Sequence, residues 1–183
     1  VKREDEIITY TGVYFAPFSP KEDKIRILDI AHALSLLCRA NGHFKHFFSV
    51  AQHCINCARE AAARGYSQKV QLACLLHDAS EAYISDVTRP VKKNLPRYID
   101  VEKNLQECAY RAFGIELDLA ETEQVCEVDD AMLHAEFDRL MDEKVFPGKP
   151  DIRSEIDLSE KDFKTVEKIF VELYEKLTEK GFR

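Results

Sequence analysis

The chain has 183 residues, 45% of them hydrophobic and 32% charged, enough for one substantial core and short of what two would need. Its 26 Lys and Arg stand against 33 Asp and Glu, a formal charge of -7, which disfavours duplex nucleic acid as the main partner. No apolar run approaches bilayer-spanning length, and the opening Val1-Lys2-Arg3-Glu4-Asp5-Glu6 is charged with no hydrophobic signal core behind it, so a cytoplasmic protein is expected.

Ile7 to Phe18 is aromatic and β-branched around Gly12, which suits a small hairpin closed by Pro17 and Pro20. Asp29 is placed to cap a helix through Ile30, Ala33, Leu34 and Leu37 to Arg39, with Asn41-Gly42 as its stop. Ser49 and Gln52 have capping-box spacing, so the next helix runs to Gly65. A third opens after Ser67 and reaches His77-Asp78. Pro90 and Pro96 break the stretch from Ser85 onward. Tyr98 to Phe113 reads as helix stopped by Gly114, and Asp118 with Glu121 starts another that extends to Lys144. Pro147-Gly148-Lys149-Pro150 is a turn. Ser159 and Asp162 open a last amphipathic helix on Phe163, Val166, Ile169, Phe170, Leu173 and Leu177, ended by Gly181. The expected fold is all-α, a single helical bundle over 1–183 with a small N-terminal β-hairpin. Its motif-bearing core covers about 25–145, and a supporting helix covers about 160–180.

The six Cys, at 38, 54, 57, 74, 108 and 126, all lie in apolar stretches that read as helix. Free buried thiols are expected rather than disulfides, and Cys54-x-x-Cys57 has no second pair to complete a zinc or redox site.

Chemistry enters with Asp129. Its neighbours one helical turn away, Val125, Cys126, Met132 and Leu133, are apolar, so the carboxylate falls in a core-facing stripe, whereas Asp130 leans toward solvent beside Glu127 and His134. A buried carboxylate needs a partner. His77-Asp78 near a helix end and His53 in the first turn of a capped helix supply two imidazoles and a second carboxylate. That N/O set suits one divalent transition metal, Mn, Fe, Co, Ni or Zn, with positions left for water.

The order His53, His77-Asp78, Asp129 resembles the HD-domain metal-dependent phosphohydrolases. The likeness widens through His77-Asp78-Ala79-Ser80-Glu81-Ala82-Tyr83, Asp86 and Arg89-Pro90-Val91-Lys92 to the YfbR-type 5'-deoxynucleotidase branch. Ile30-Ala31-His32-Ala33-Leu34-Ser35, Cys38-Arg39, Asn41-Gly42-His43 and Val50-Ala51-Gln52-His53 add to it. The resemblance implies an HD fold, His53, His77, Asp78 and Asp129 as metal ligands, Glu81 and Asp86 as acid/base residues, and Arg39 as the phosphate-binding arginine, with Lys92 a further candidate. It also implies a homodimer. The branch carries an Arg-Trp pair where this chain has Arg39 and no Trp anywhere, so the sugar and base contacts differ.

His43, beside Lys45 and His46 between two helices, is a candidate for the phosphate entrance. His32 reads as a structural hydrogen-bonding residue. The expected activity is hydrolysis of (deoxy)ribonucleoside 5'-monophosphates. A deoxynucleoside triphosphate triphosphohydrolase is the rival enzyme, favoured if Lys45, Arg89 and Lys92 reach further phosphates, and a non-catalytic nucleotide binder is the rival of another class.

Overall fold

The computed structural model describes residues 4–179. It is mainly helical, with one small hairpin of β1 (Ile7–Ile8) and β2 (Tyr14–Phe15), antiparallel in the register Ile7 to Phe15 and Ile8 to Tyr14. The helices follow as α1 (Ile27–Leu36), α2 (Val50–Ala63), α3 (Gln68–Leu76), α4 (Glu81–Ile84), α5 (Arg89–Lys92), α6 (Pro96–Ala112), α7 (Leu119–Leu140) and α8 (Phe163–Glu179). Among the described residues no helix is long and apolar enough to cross a membrane.

Helix α2 lies at the centre, packed against α1, α3, α7 and α8. Its small residues, Ala51, Cys54, Cys57, Ala58 and Ala61, let neighbours approach from every side and are all buried. Ile30 and Leu34 of α1, Leu72, Leu75 and Leu76 of α3, Val128 and Met132 of α7 and Phe170 of α8 complete one continuous hydrophobic cluster. Phe44, Phe48 and Leu140 form a second, smaller one.

Both predicted capping boxes are present. The Ser49 hydroxyl accepts from the Gln52 N–H and the Gln52 side chain from the Ser49 N–H, both at 3.2 Å, and Asp118 with Glu121 does the same for α7. Ser67 caps α3 through the Val70 N–H. Helix α7 ends at Leu140, short of the expected Lys144. Asp162 accepts from the Thr165 N–H at the start of α8, while the predicted stop at Gly181 lies outside the described residues.

Three expectations are corrected. Asp29 does not cap α1: it lies inside the helix, buried, and accepts from the Thr11 N–H at 2.6 Å and the Thr11 hydroxyl at 2.9 Å, tying the hairpin down. Helix α1 stops at Leu36 because residues 37–39 turn into an extended pairing with 48–50. The Arg39 N–H bonds the Phe48 carbonyl there and the Val50 N–H bonds that of Leu37. Cys38 and Cys126 are exposed, Cys38 because it lies in that pairing and Cys126 because it lies on the outer side of α7; all six thiols are free.

One polar stripe of α2 grips the non-helical segment 151–159. At successive turns Gln52 donates to the Ser159 carbonyl, Asn56 to that of Asp157, Glu60 accepts from the N–H groups of Arg153 and Ser154, and Arg64 donates to the Asp151 carbonyl. This strap, running antiparallel to the helix, satisfies four polar side chains on an otherwise buried element.

Candidate metal centre

The cluster is assembled by helix ends as much as by helix faces. His53 occupies the first turn of α2 and is fully buried. His77 is the residue at which α3 stops, so the chain can turn there and bring Asp78 beside it, Nε2 to Oδ1 at 3.3 Å. Asp129 comes from the middle of α7. His53 Nε2 lies 3.2 Å from His77 Nε2, 3.1 Å from Asp129 Oδ1 and 3.8 Å from Asp78 Oδ2, and His77 Nε2 lies 3.7 Å from Asp129 Oδ1. The four predicted ligands therefore meet at one point. Ligand atoms sharing one ion at 2.0–2.3 Å stand about 3–4 Å apart, the spacing found here.

The ring tautomers sharpen this fit. His77 Nδ1 faces the Cys74 carbonyl at 2.8 Å, which can only accept, so Nδ1 carries a hydrogen. His53 Nδ1 faces Glu136 Oε1 at 2.7 Å and donates to it. Neutral rings would then turn both Nε2 lone pairs on each other at 3.2 Å, which is repulsive unless positive charge lies between them. Burial works to lower both imidazole pKa values, yet the surrounding carboxylates outweigh it and raise them. Burial likewise favours neutral Asp129, but the two imidazoles, when protonated at Nε2, donate to it and hold its pKa well below the usual range. The cluster asks for a cation, and it can hold a metal ion.

Thiols stand close by. His53, Cys57 and His77 offer ligand atoms within 4.8 Å of one another, as do Cys54, His77 and Asp78. Burial pushes the Cys54 thiol up to about 11 and Cys57 well above its ordinary value.

A cavity of about 390 Å³ opens onto the cluster, with Arg39, Asp78, Glu81, Asp86, Lys92 and Asp129 in its wall. Its other part is apolar, formed by Leu133, Phe137, Val145 and Phe146. Arg39 is buried. Its Nε donates to Glu136 Oε2 at 2.8 Å, and its other nitrogens lie 3.6 Å from Asp78 and 3.8 Å from Asp129. Lys92 donates to Glu102 at 2.6 Å. Glu81 is buried, with one carboxyl oxygen unpartnered among the described residues. Burial first, then the charges of Asp78 and Asp86, raise its pKa well above the carboxylate range; burial also raises that of Asp86.

Backbone strain borders the cavity. Ala40 and Asn41, next to Arg39, have φ of 53° and 52°, and Ser85, next to Asp86, has φ of 72°. Side chains rarely adopt this left-handed region, and its cost is tolerated where surrounding bonds enforce it. The Tyr98 hydroxyl holds the Ser85 carbonyl at 2.6 Å, and the Phe48 carbonyl holds Arg39.

Not every candidate joins the site. His43 is exposed and does not line this cavity. His46 bonds the Leu158 carbonyl, and His32 bonds Glu167 and stacks on Tyr10, in a different groove. Asp129 is less enclosed than its apolar neighbours imply. Its side chain is 24% exposed, at the boundary of core and cavity, and its outer oxygen accepts from Arg89 at 2.7 Å; Arg89 also takes Asp130, which faces solvent as expected.

Sequence reasoning missed Glu136. It lies seven residues after Asp129 on the same face of α7, between Met132 and Leu140, so the helical-phase argument applied to Asp129 would have found it.

No family model matches the chain. It is similar to "Uncharacterized protein YfdR" of Escherichia coli, at 37% identity over 109 residues that make up 60% of this chain and 58% of that protein. It is also similar to "Uncharacterized protein RCAP_rcc00048" of Rhodobacter capsulatus, at 34% identity over 102 residues, 52% of each. The chain thus spans little more than half the length of these curated relatives. Neither name states an activity.

Proposed function

We propose that this chain is a metal-dependent phosphohydrolase of the HD-domain kind that cleaves (deoxy)ribonucleoside 5'-monophosphates to nucleoside and phosphate. The observation that carries the reading is the meeting of His53, His77, Asp78 and Asp129 at one point, with Asp78 and Asp129 reaching the wall of a cavity that mixes cationic, acidic and apolar side chains. These four residues would hold one divalent ion of the Mn, Fe, Co, Ni or Zn group. When bound, such an ion supplies a water of lowered pKa and positive charge against a phosphoryl oxygen.

The protein's own groups do the rest. Arg39 and Lys92 face the cavity with positive charge suited to a phosphate dianion, and the planar Arg39 fork matches two phosphate oxygens. Glu81, kept protonated by burial and by Asp78 and Asp86, donates a proton to the leaving nucleoside oxygen. Asp86 lies on the same wall, placed to accept a proton from the attacking water. Leu133, Phe137, Val145 and Phe146 offer an apolar surface to the nucleoside and keep bulk water away. Arg89 and Lys92 line the cavity, but Arg89 is tied to Asp129 and Asp130 and Lys92 to Glu102, while Lys45 is exposed, pairs with Asp142 and lies off the cavity; the monophosphate reading is preferred because none of the three is left over for further phosphates.

The test is product analysis. Metal-loaded protein is incubated with deoxyribonucleoside mono- and triphosphates, with Asp78→Asn as control. Orthophosphate from monophosphates, absent in the control, supports the proposal. Tripolyphosphate from triphosphates moves the chain to the rival hydrolase, and no product with any of these metals sinks both enzyme readings.

A further inference from the structure

Beyond the two His and two Asp, the buried end of the cluster carries sulfur. Cys54 and Cys57 both come from α2, one and four residues after His53, and neither has any solvent-exposed surface of consequence. They are not equivalent. Cys57 Sγ lies 3.5 Å from His53 Nε2 and 3.9 Å from Nδ1. An atom nearly equidistant from both ring nitrogens sits against the ring, away from the Nε2 tip where an ion would be bound. Cys54 Sγ instead approaches donor atoms of Asp78 and His77. It is 4.0 Å from Asp78 Oδ2 and within 4.8 Å of a His77 nitrogen. Asp78 Oδ2 is in turn 3.8 Å from His53 Nε2. Two donors on one ion, one of them sulfur at about 2.3 Å, stand roughly 3.0–3.9 Å apart, so Cys54 at 4.0 Å falls at the outer edge of ligand spacing from Asp78, while Cys57 does not point at the shared centre.

We infer that Cys54 is a fifth protein ligand, making the centre a mixed nitrogen, oxygen and sulfur site. This rests on the metal-binding reading above but goes past it, since nothing in a set of two His and two Asp calls for a thiolate. A sulfur ligand changes which ion the protein takes. Thiolates favour Zn, Co and Fe, whereas an all-oxygen and nitrogen set accommodates Mn readily. It also leaves fewer positions open for water than four ligands do, and places the sulfur on the side of the cluster facing the core, away from the cavity that would admit substrate.

The experiment is X-ray absorption at the zinc edge of the full chain loaded with one equivalent of Zn. The expected spectrum has one sulfur at about 2.3 Å beside nitrogen and oxygen at about 2.0–2.2 Å. Cys54→Ser should lose the sulfur shell and keep the lighter one, and Cys57→Ser should keep both. Cys54→Ala serves if the Ser variant does not fold, and the unmodified protein decides the central question without either. A wild-type spectrum with nitrogen and oxygen only overturns the inference while leaving the metal centre standing. A sulfur shell that survives in both Cys54 variants also overturns it. Failure of the protein to bind Zn, Co, Fe, Ni or Mn removes the metal-binding reading and the inference together.

Discussion

Glu136 Oε1 and His53 Nδ1 lie 2.7 Å apart, and neither side chain has any access to solvent. The other Glu136 oxygen takes the Arg39 guanidinium, so one carboxylate orients an imidazole of the cluster and a cation of the cavity wall. Glu136→Gln keeps the shape but removes the charge that fixes the His53 tautomer. Metal affinity, read by titration calorimetry, should fall about 10- to 100-fold with the fold retained. Unchanged affinity would mean that His53 is held by packing alone.

Asp129 and Asp130 are adjacent and both contact Arg89, yet only Asp129 faces the two imidazoles. Asp129→Asn should abolish stoichiometric metal binding, and Asp130→Asn should leave it intact. Metal analysis of the two purified variants distinguishes them, and the reverse pattern would overturn the helical-phase assignment.

Glu81 bears on the pH profile. Burial and the charges of Asp78 and Asp86 raise its pKa, so it keeps its proton in the range where an ordinary Glu has lost it. A donor of that kind is competent below its raised pKa and lost as pH climbs through it, which gives kcat an alkaline limb. Glu81→Gln should lower kcat by about 100- to 10,000-fold, flatten that limb and leave metal content unchanged. An unaltered kcat would refute the acid role.

Glu60 tests stability away from the cluster. Burial disfavours its charge, but bonds from Ser154, Arg64 and the Arg153 N–H prevail and hold its pKa below the ordinary value. The stabilisation is therefore present above the ordinary Glu pKa and drains away as pH falls from there through the lower folded value. At neutral pH Glu60→Gln should cost about 1–3 kcal/mol in urea unfolding. The gap from wild type should narrow in acid, and a constant gap would point to packing instead.

What could be read from the chain followed the range of the forces involved. The boxes at Ser49 with Gln52 and Asp118 with Glu121 close within one turn, so their residues carry the whole signal. Asp29 looked like a cap because its true partner, Thr11, is 18 residues upstream on a hairpin whose docking no local pattern states. The four converging side chains were legible because a carboxylate among apolar neighbours and a His-Asp pair at a helix end are both costly without a shared partner. Glu136 obeyed the same logic and was overlooked. The stripe Gln52, Asn56, Glu60, Arg64 was visible as polar residues at four-residue spacing, but its mate has no periodicity of its own and could not be read.

That pairing of stripe and strap also works as a length gauge. Four residues of helix rise about 6 Å, while non-helical chain covers up to about 3.3 Å per residue, so rungs at 151, 153–154, 157 and 159 keep step with turns at 64, 60, 56 and 52. A residue inserted between 154 and 157 would throw the rungs on either side out of phase and displace the start of α8 relative to α2. One inserted in the turn 147–150, between Phe146 in the cavity wall and the first rung, would only enlarge an arc. The chain between α7 and α8 thus tolerates a change in length at its turn and resists one along the strap, although no periodicity in the sequence marks the strap.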